Sequence, residues 1–151
     1  GFDSFIVAQE FEENVFAPSM GRKKDREEEM GITHLPYMTW VEWINNLSKY
    51  KYGVHLMPTW AAGTFTLNCA YHGIPCIGYK GLDTKLHPSL SVEYGDVNMA
   101  RSLASRLHND NDFYETCVDE CRTLYKNSVF REKQYIYIMN KVIKEVMNES
   151  N

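Results

Sequence analysis

Long apolar runs are absent from this 151-residue chain. A membrane-spanning helix needs about 20 consecutive apolar residues, and no stretch comes near that length. No signal peptide opens the chain either. A soluble, cytoplasmic domain without a transmembrane segment is therefore expected. Paired cysteine spacings are also lacking. Of the four cysteines, Cys69 and Cys76 fall within one apolar unit, and Cys117 and Cys121 lie one helical turn apart. None has the short Cys and His spacings of a zinc site, so buried free thiols and no metal ion are expected.

Several catalytic signatures are missing. There is no G-x-x-x-x-G-K-[ST] loop, no G-x-G-x-x-G after a strand and no G-x-S-x-G elbow. His34, His55, His72, His87 and His108 are scattered and read as structural. Carboxylates fall in charge runs and helix caps, so no general acid–base pair stands out. Excess positive charge is lacking too: a net charge of −4 argues against nucleic acid as a partner. Internal repeats and low-complexity segments do not occur.

What is present is core material. A composition 44% hydrophobic and 13% aromatic over this length suits one domain, residues 1–151. The stretch Tyr52–Tyr79 organises the rest. It reads as a strand (Tyr52–Met57), a loop (Pro58–Gly63), a short apolar helix (Thr64–His72) and a second strand (Pro75–Tyr79). Gly73 suits the left-handed position that ends a helix, and Pro75 does not prolong it. Such a unit is a parallel βαβ crossover whose loop opens at the carboxyl edge of the sheet, where open α/β folds bind ligands.

The remainder extends this pattern. Phe5–Ala8 reads as a buried strand close to the start, which suggests a piece cut from a longer protein. Arg22–Met30 is a mixed-sign charge run suited to a solvated surface. Gly31–Tyr37 reads as a strand ended by Pro36. Thr39 and Glu42 form a capping box before a helix whose apolar face is Trp40, Trp43, Ile44 and Leu47. Beyond the central unit, Gly78–Thr84 is a glycine-punctuated loop and Leu90–Tyr94 alternates like a half-covered edge strand. Asp96 caps a helix with the stripe Ala100, Leu103, Ala104 and Leu107. Asp112 with Glu115 suggests a second capping box, before a helix carrying Cys117, Cys121 and Leu124. A last helix places Tyr135, Ile138, Met139, Val142, Ile143 and Val146 on one face, which offers a surface for a homodimer. The expected fold is α/β: three layers, a mostly parallel sheet with helices on both faces, and C-terminal helices.

The central loop favours an anion. The first N–H groups of a helix opening near Thr64 lack intrahelical partners, and the helix dipole adds positive charge there. Gly63 lets the backbone approach a ligand closely. A phosphate or diphosphate fits such a place.

The string YGVHLMPTWAAGTFTLNCAYHGIPCIGY resembles the C-terminal domain of GT-B-fold glycosyltransferases. Pro58-Thr59 and Gly73-Ile74-Pro75 match the family's anchors, as do the flanking SKYKYGVHLMPT and GDVNMARSLASRLHND, and the likeness covers Ile32 to Tyr125. It implies the donor-binding half of a two-domain hexosyltransferase, acting on a nucleotide sugar without metal or cofactor. Its own N-terminal domain would be a partner, and the first strand and helix of the present domain would be missing. By this resemblance Gly63, Thr64 and Phe65 meet the diphosphate or sugar, with Thr59 in the same loop. Asn68 takes the place of the second Glu of the family's Glu-x7-Glu motif, which binds ribose; the first Glu has no counterpart in Trp60-Ala61-Ala62. Pro36 and Tyr37, with Leu35, approach the base, and Lys80 or Lys85 can add positive charge. The same architecture also serves nucleotide-sugar 2-epimerases, and a non-enzymatic Rossmann-like interaction module is a further alternative.

Overall fold

A computed structural model describes residues 2–18, 26–57, 64–81, 84–129, 137, 140 and 141. The elements in chain order are α1 (Phe2–Ala8), β1 (Val15–Ala17), β2 (Ile32–His34), α2 (Trp40–Leu47), β3 (Gly53–His55), α3 (Thr64–His72), β4 (Cys76–Tyr79), β5 (Ser91–Val92), α4 (Val97–Asn109) and α5 (Asn111–Val129). Short 3-10 turns precede β2 (Glu28–Met30) and β5 (Pro88–Leu90). The fold is α/β with parallel pairing throughout the described strands, as expected for a Rossmann-like chain.

The strands form two small sheets. β1 pairs with β2 from Val15↔Ile32 to Ala17↔His34. β4 lies between β3 and β5, with Gly53↔Cys76 and Tyr79↔Val92 setting the registers. All four residues of β4 are buried, as expected of a parallel strand covered on both faces. Alternate side chains of β4 then feed two cores. Ile77 and Tyr79 join Val7, Phe11, Leu56, Val92, Ala100, Ala104 and Leu107, beneath α1 and α4. Cys76 joins Leu47, Cys69 and Ile74, with Trp43 and Phe65 against them, beneath α2 and α3. Helices on both faces are thus present, and α5 packs along both α3 and α4.

Local signals explain most boundaries. Thr39 Oγ1 accepts the Glu42 N–H while Glu42 Oε2 accepts the Thr39 N–H at 2.8 Å, the expected capping box. Along α2, Leu47 is buried and Trp43 and Ile44 are half-buried, but Trp40 in the first turn is exposed. Asp96 caps α4 through the Met99 N–H at 2.9 Å. Gly73 ends α3 with φ 71°, a conformation that disfavours any side chain.

Three expectations change. Phe5–Ala8 is not a strand but part of α1. A short apolar run does not separate a buried helix from a strand, and here Val7 of α1 and Phe11 in the turn after it enter the same core. Second, Asp110 rather than Asp112 caps α5, its Oδ1 accepting the Phe113 N–H at 3.0 Å. That bond leads the causes that lower the Asp110 pKa, ahead of Arg106. Third, β1 was not anticipated; three residues carry too little periodicity. The loop Pro58–Gly63 and the helical face from Tyr135 to Val146 lie outside the described residues, although Tyr137 itself is exposed.

Gly78 marks the tightest point in the β3–β4 ladder. A methyl group there would lie 2.6 Å from Thr84 Cγ2 and 3.1 Å from the His55 carbonyl oxygen. Gly78→Ala is therefore expected to lower the unfolding free energy by about 1–3 kcal/mol. Urea titration should show a reduced midpoint with an unchanged slope; an unchanged midpoint would contradict this packing.

Candidate functional site

β3 and β4 run parallel, so the intervening α3 runs back from the carboxyl edge to the amino edge of the sheet. Its N-terminus is thus on the edge that sequence reasoning selected. Thr64 opens the helix and is exposed, and Phe65 is half-buried. The Phe65 ring lies 5.7 Å from His55, the last residue of β3, and 6.2 Å from Trp43 of α2. Thr59 and Gly63 belong to residues 58–63, outside the described part.

The other expected positions follow strand ends. Pro36 and Tyr37 come after β2, and Tyr37 is 72% exposed, a free ring face able to stack on a planar ligand. Lys80 follows β4 and is exposed, but its ammonium contacts the Glu93 carboxylate. Its charge is therefore shared locally. Lys85 is exposed. The structure thus brings Phe65, next to Thr64, together with His55 and Trp43, while Lys80 is engaged with Glu93 and Tyr37 is exposed after β2.

Asn68 is the informative residue. It is only 4% exposed on α3, one turn beyond Thr64, and its Nδ2 has no hydrogen-bond partner among the described residues. An unpaired buried amide donor costs about 1–3 kcal/mol, which an acceptor from a ligand would offset.

Sequence reasoning did not find the buried polar layer under α3. His87 is 1% exposed, and its Nε2 is 3.0 Å from the Thr66 carbonyl. A carbonyl only accepts, so Nε2 carries the hydrogen and Nδ1 is bare. Nδ1 is buried without a partner among the described residues. Burial accordingly lowers the His87 pKa, opposed by the Thr66 carbonyl and Glu120. Thr84 Oγ1 receives the Gly81 N–H and donates to the Tyr79 carbonyl, both at 3.2 Å. Thr84 thus shapes the turn after β4, and His87 holds that segment against α3. Only the Thr84 turn had a local signal, a hydroxyl three residues past a glycine.

The cysteines behave as inert core. Cys69, Cys76, Cys117 and Cys121 are free and buried, and burial pushes Cys117 up to about 12 and Cys121 up to about 11. Among the described residues no group of three His, Cys, Asp or Glu side chains is placed to hold a metal ion. No described helix is long and apolar enough to cross a membrane. A surface hollow of about 430 Å³, lined in part by Lys49, Lys51, His72, Tyr114 and Arg122, opens at the opposite end of α3. Its cations have local partners: Arg122 Nη2 donates to the His72 carbonyl at 3.4 Å, and Lys51 lies 4.6 Å over the Tyr114 ring. They complete a helix C-terminus rather than await an anion.

The His87 pKa is depressed in the fold, so the unfolded chain binds the extra proton first. Its stabilising contribution is complete above the ordinary value of 6.5 and is lost as pH falls through the lower folded value. Unfolding free energy should drop between pH 7 and pH 5, and less steeply in His87→Gln, whose amide can still donate to Thr66. Equal pH dependence of the two unfolding free energies across that range would show that His87 does not cause the loss. Comparison with known proteins finds no matching family model, no similar curated protein and no similar solved structure.

Proposed function

We propose that this chain is the donor-binding domain of a GT-B-type glycosyltransferase, holding a nucleoside diphosphate sugar from which a hexose passes to an acceptor. The observation that carries this reading is Asn68, a buried carboxamide whose donor has no partner among the described residues, one turn inside a helix whose N-terminus opens on the carboxyl edge. The amides of the first turn of α3, from Thr64, suit diphosphate oxygens, and the helix dipole adds to their attraction. These donors favour the leaving diphosphate more as its charge develops, which is electrostatic stabilisation of the transition state. Asn68 then supplies a neutral hydrogen bond to a sugar or ribose hydroxyl. Tyr37 offers a ring face for the base. Lys80 would join the diphosphate by exchanging its contact with Glu93.

On this reading the domain is cytoplasmic. Its partners are the nucleotide sugar and an N-terminal domain supplying the acceptor site and any catalytic base. No metal or organic cofactor is invoked.

Isothermal titration of a panel of nucleoside diphosphate sugars against the intact polypeptide tests the proposal. Saturable binding is expected for at least one donor. Replacing Gly63→Asp together with Thr64→Glu should weaken it tenfold or more, which corresponds to at least about 1.4 kcal/mol. Glu115→Gln, on exposed α5 surface, should leave it unchanged. Undiminished binding by the double variant would refute the site, and no binding by any donor would refute the function.

A further inference from the structure

We propose that one more β-strand, from the segment of the same polypeptide that precedes Gly1, inserts between β1 and β3 and joins the two sheets into one. The ladders themselves leave the place open. The Gly53 N–H donates to the Pro75 carbonyl at 2.9 Å, so Gly53 and His55 turn their backbone polar groups toward β4. Alternation along a parallel ladder then turns the Val54 N–H and C=O the other way. On the second sheet, Val15 donates to Gly31 and Ala17 accepts from Leu35, both at 3.0 Å. Phe16 therefore turns its own N–H and C=O away from β2. Among the described residues no strand pairs with either free edge.

The two edges belong to one gap. The Phe16 ring lies 5.4 Å from Tyr50, which leads into β3. Phe11, four residues before β1, stacks on Tyr52 at 4.0 Å, beside the start of β3. Four residues reach at most about 14 Å. Two strands separated by one intervening strand stand about 9 to 10 Å apart. The span admits one strand.

The direction of α1 identifies the occupant. Ser4 Oγ accepts the Leu56 N–H at 2.8 Å, just past the end of β3, and Asp3 Oδ2 accepts the Tyr79 hydroxyl at 2.6 Å, at the end of β4. α1 thus starts at the carboxyl edge, runs back under the sheet to Phe11 at the amino edge, and feeds β1. That is the return limb of a βαβ crossover, whose first strand ends where α1 begins. Leu56 is informative here: its N–H lies on the same free edge as Val54 and has taken a side-chain hydroxyl. With the added strand the order becomes β2-β1-new-β3-β4-β5, the doubly wound arrangement. Covered by α1 on one face and bordered by Tyr50, the strand should be an apolar, β-branched run of about five residues. α1 then serves as the first helix of the domain. The ladders, the ring contacts across the gap and the direction of α1 carry this inference whether or not a donor binds at α3.

Residue-resolved amide hydrogen exchange on the polypeptide carrying its natural residues ahead of Gly1 tests it. The Phe16 and Val54 amides should exchange about a hundredfold or more slower than unstructured amides, as is also expected of the paired Gly53 amide. Proline substitutions in the preceding segment should speed exchange at Phe16 and Val54 while Gly53 stays protected. Unprotected Phe16 and Val54 in the longer polypeptide would overturn the proposal. So would protection that persists when the preceding segment is deleted: a rise with protein concentration would show a second copy pairing there, and concentration-independent protection would show this chain closing the gap itself.

Discussion

The burial of β4 is the constraint on which the rest of the structure depends. Cys76, Ile77, Gly78 and Tyr79 are all withdrawn from water, so their backbone groups must be paired on both edges and their side chains covered on both faces. Parallel partners β3 and β5 meet the first demand. The second requires helices above and below, and parallel strands need crossovers that supply them. Glycine at Gly53 and Gly78 keeps the sheet thin where Cys69, Cys76 and Thr84 press on it. The orientation of α3 follows from this arrangement, and with it the edge on which its free amides point.

Polar ties then fix what apolar packing alone leaves loose. Asp3 and Ser4 fasten the first turn of α1 to the ends of β4 and β3. Tyr79 pays for this with a hydroxyl whose pKa rises to about 12, through burial first and then its bond to Asp3; it remains protonated and keeps donating across the neutral range. His87 and Thr84 do the same for the segment after β4. The ties made by Ser4, Asp3 and His87 join residues distant in sequence, and the Thr84 turn adds a local one, so the carboxyl edge is held from several directions while its loops carry the candidate ligand positions.

That distinction explains what was legible in the sequence. The Thr39–Glu42 box, the Asp96 cap and the Gly73 stop are local devices whose partners lie within a few residues, and the structure contains them. The βαβ unit around α3 was legible because its apolar runs are bounded by proline and glycine. Phe5–Ala8 was not, because its state is decided by what it packs on: Val7 and Phe11 find β3 and α4 only in three dimensions. Asp110 and Asp112 are both plausible caps by sequence, and the break at the end of α4 selects the first. His87 gave no signal, since its partner Thr66 is 21 residues away.

Asn68 stands, by the proposed resemblance, where a glutamate is expected. At a position 4% exposed, a carboxylate would carry a desolvation cost of several kcal/mol unless a cation or several donors met it. The buried polar and thiol groups on and against α3 include Cys69, Thr66 and a histidine whose pKa burial lowers, which favours its neutral form. An amide avoids that cost while keeping a donor and an acceptor. Asn at this position is therefore what the interior accepts, and any sugar it holds is read by neutral hydrogen bonds. In the proposed donor site, discrimination between donors would depend on which hydroxyl pairs the Asn68 amide, because leaving a buried group unpaired is what separates similar ligands most strongly.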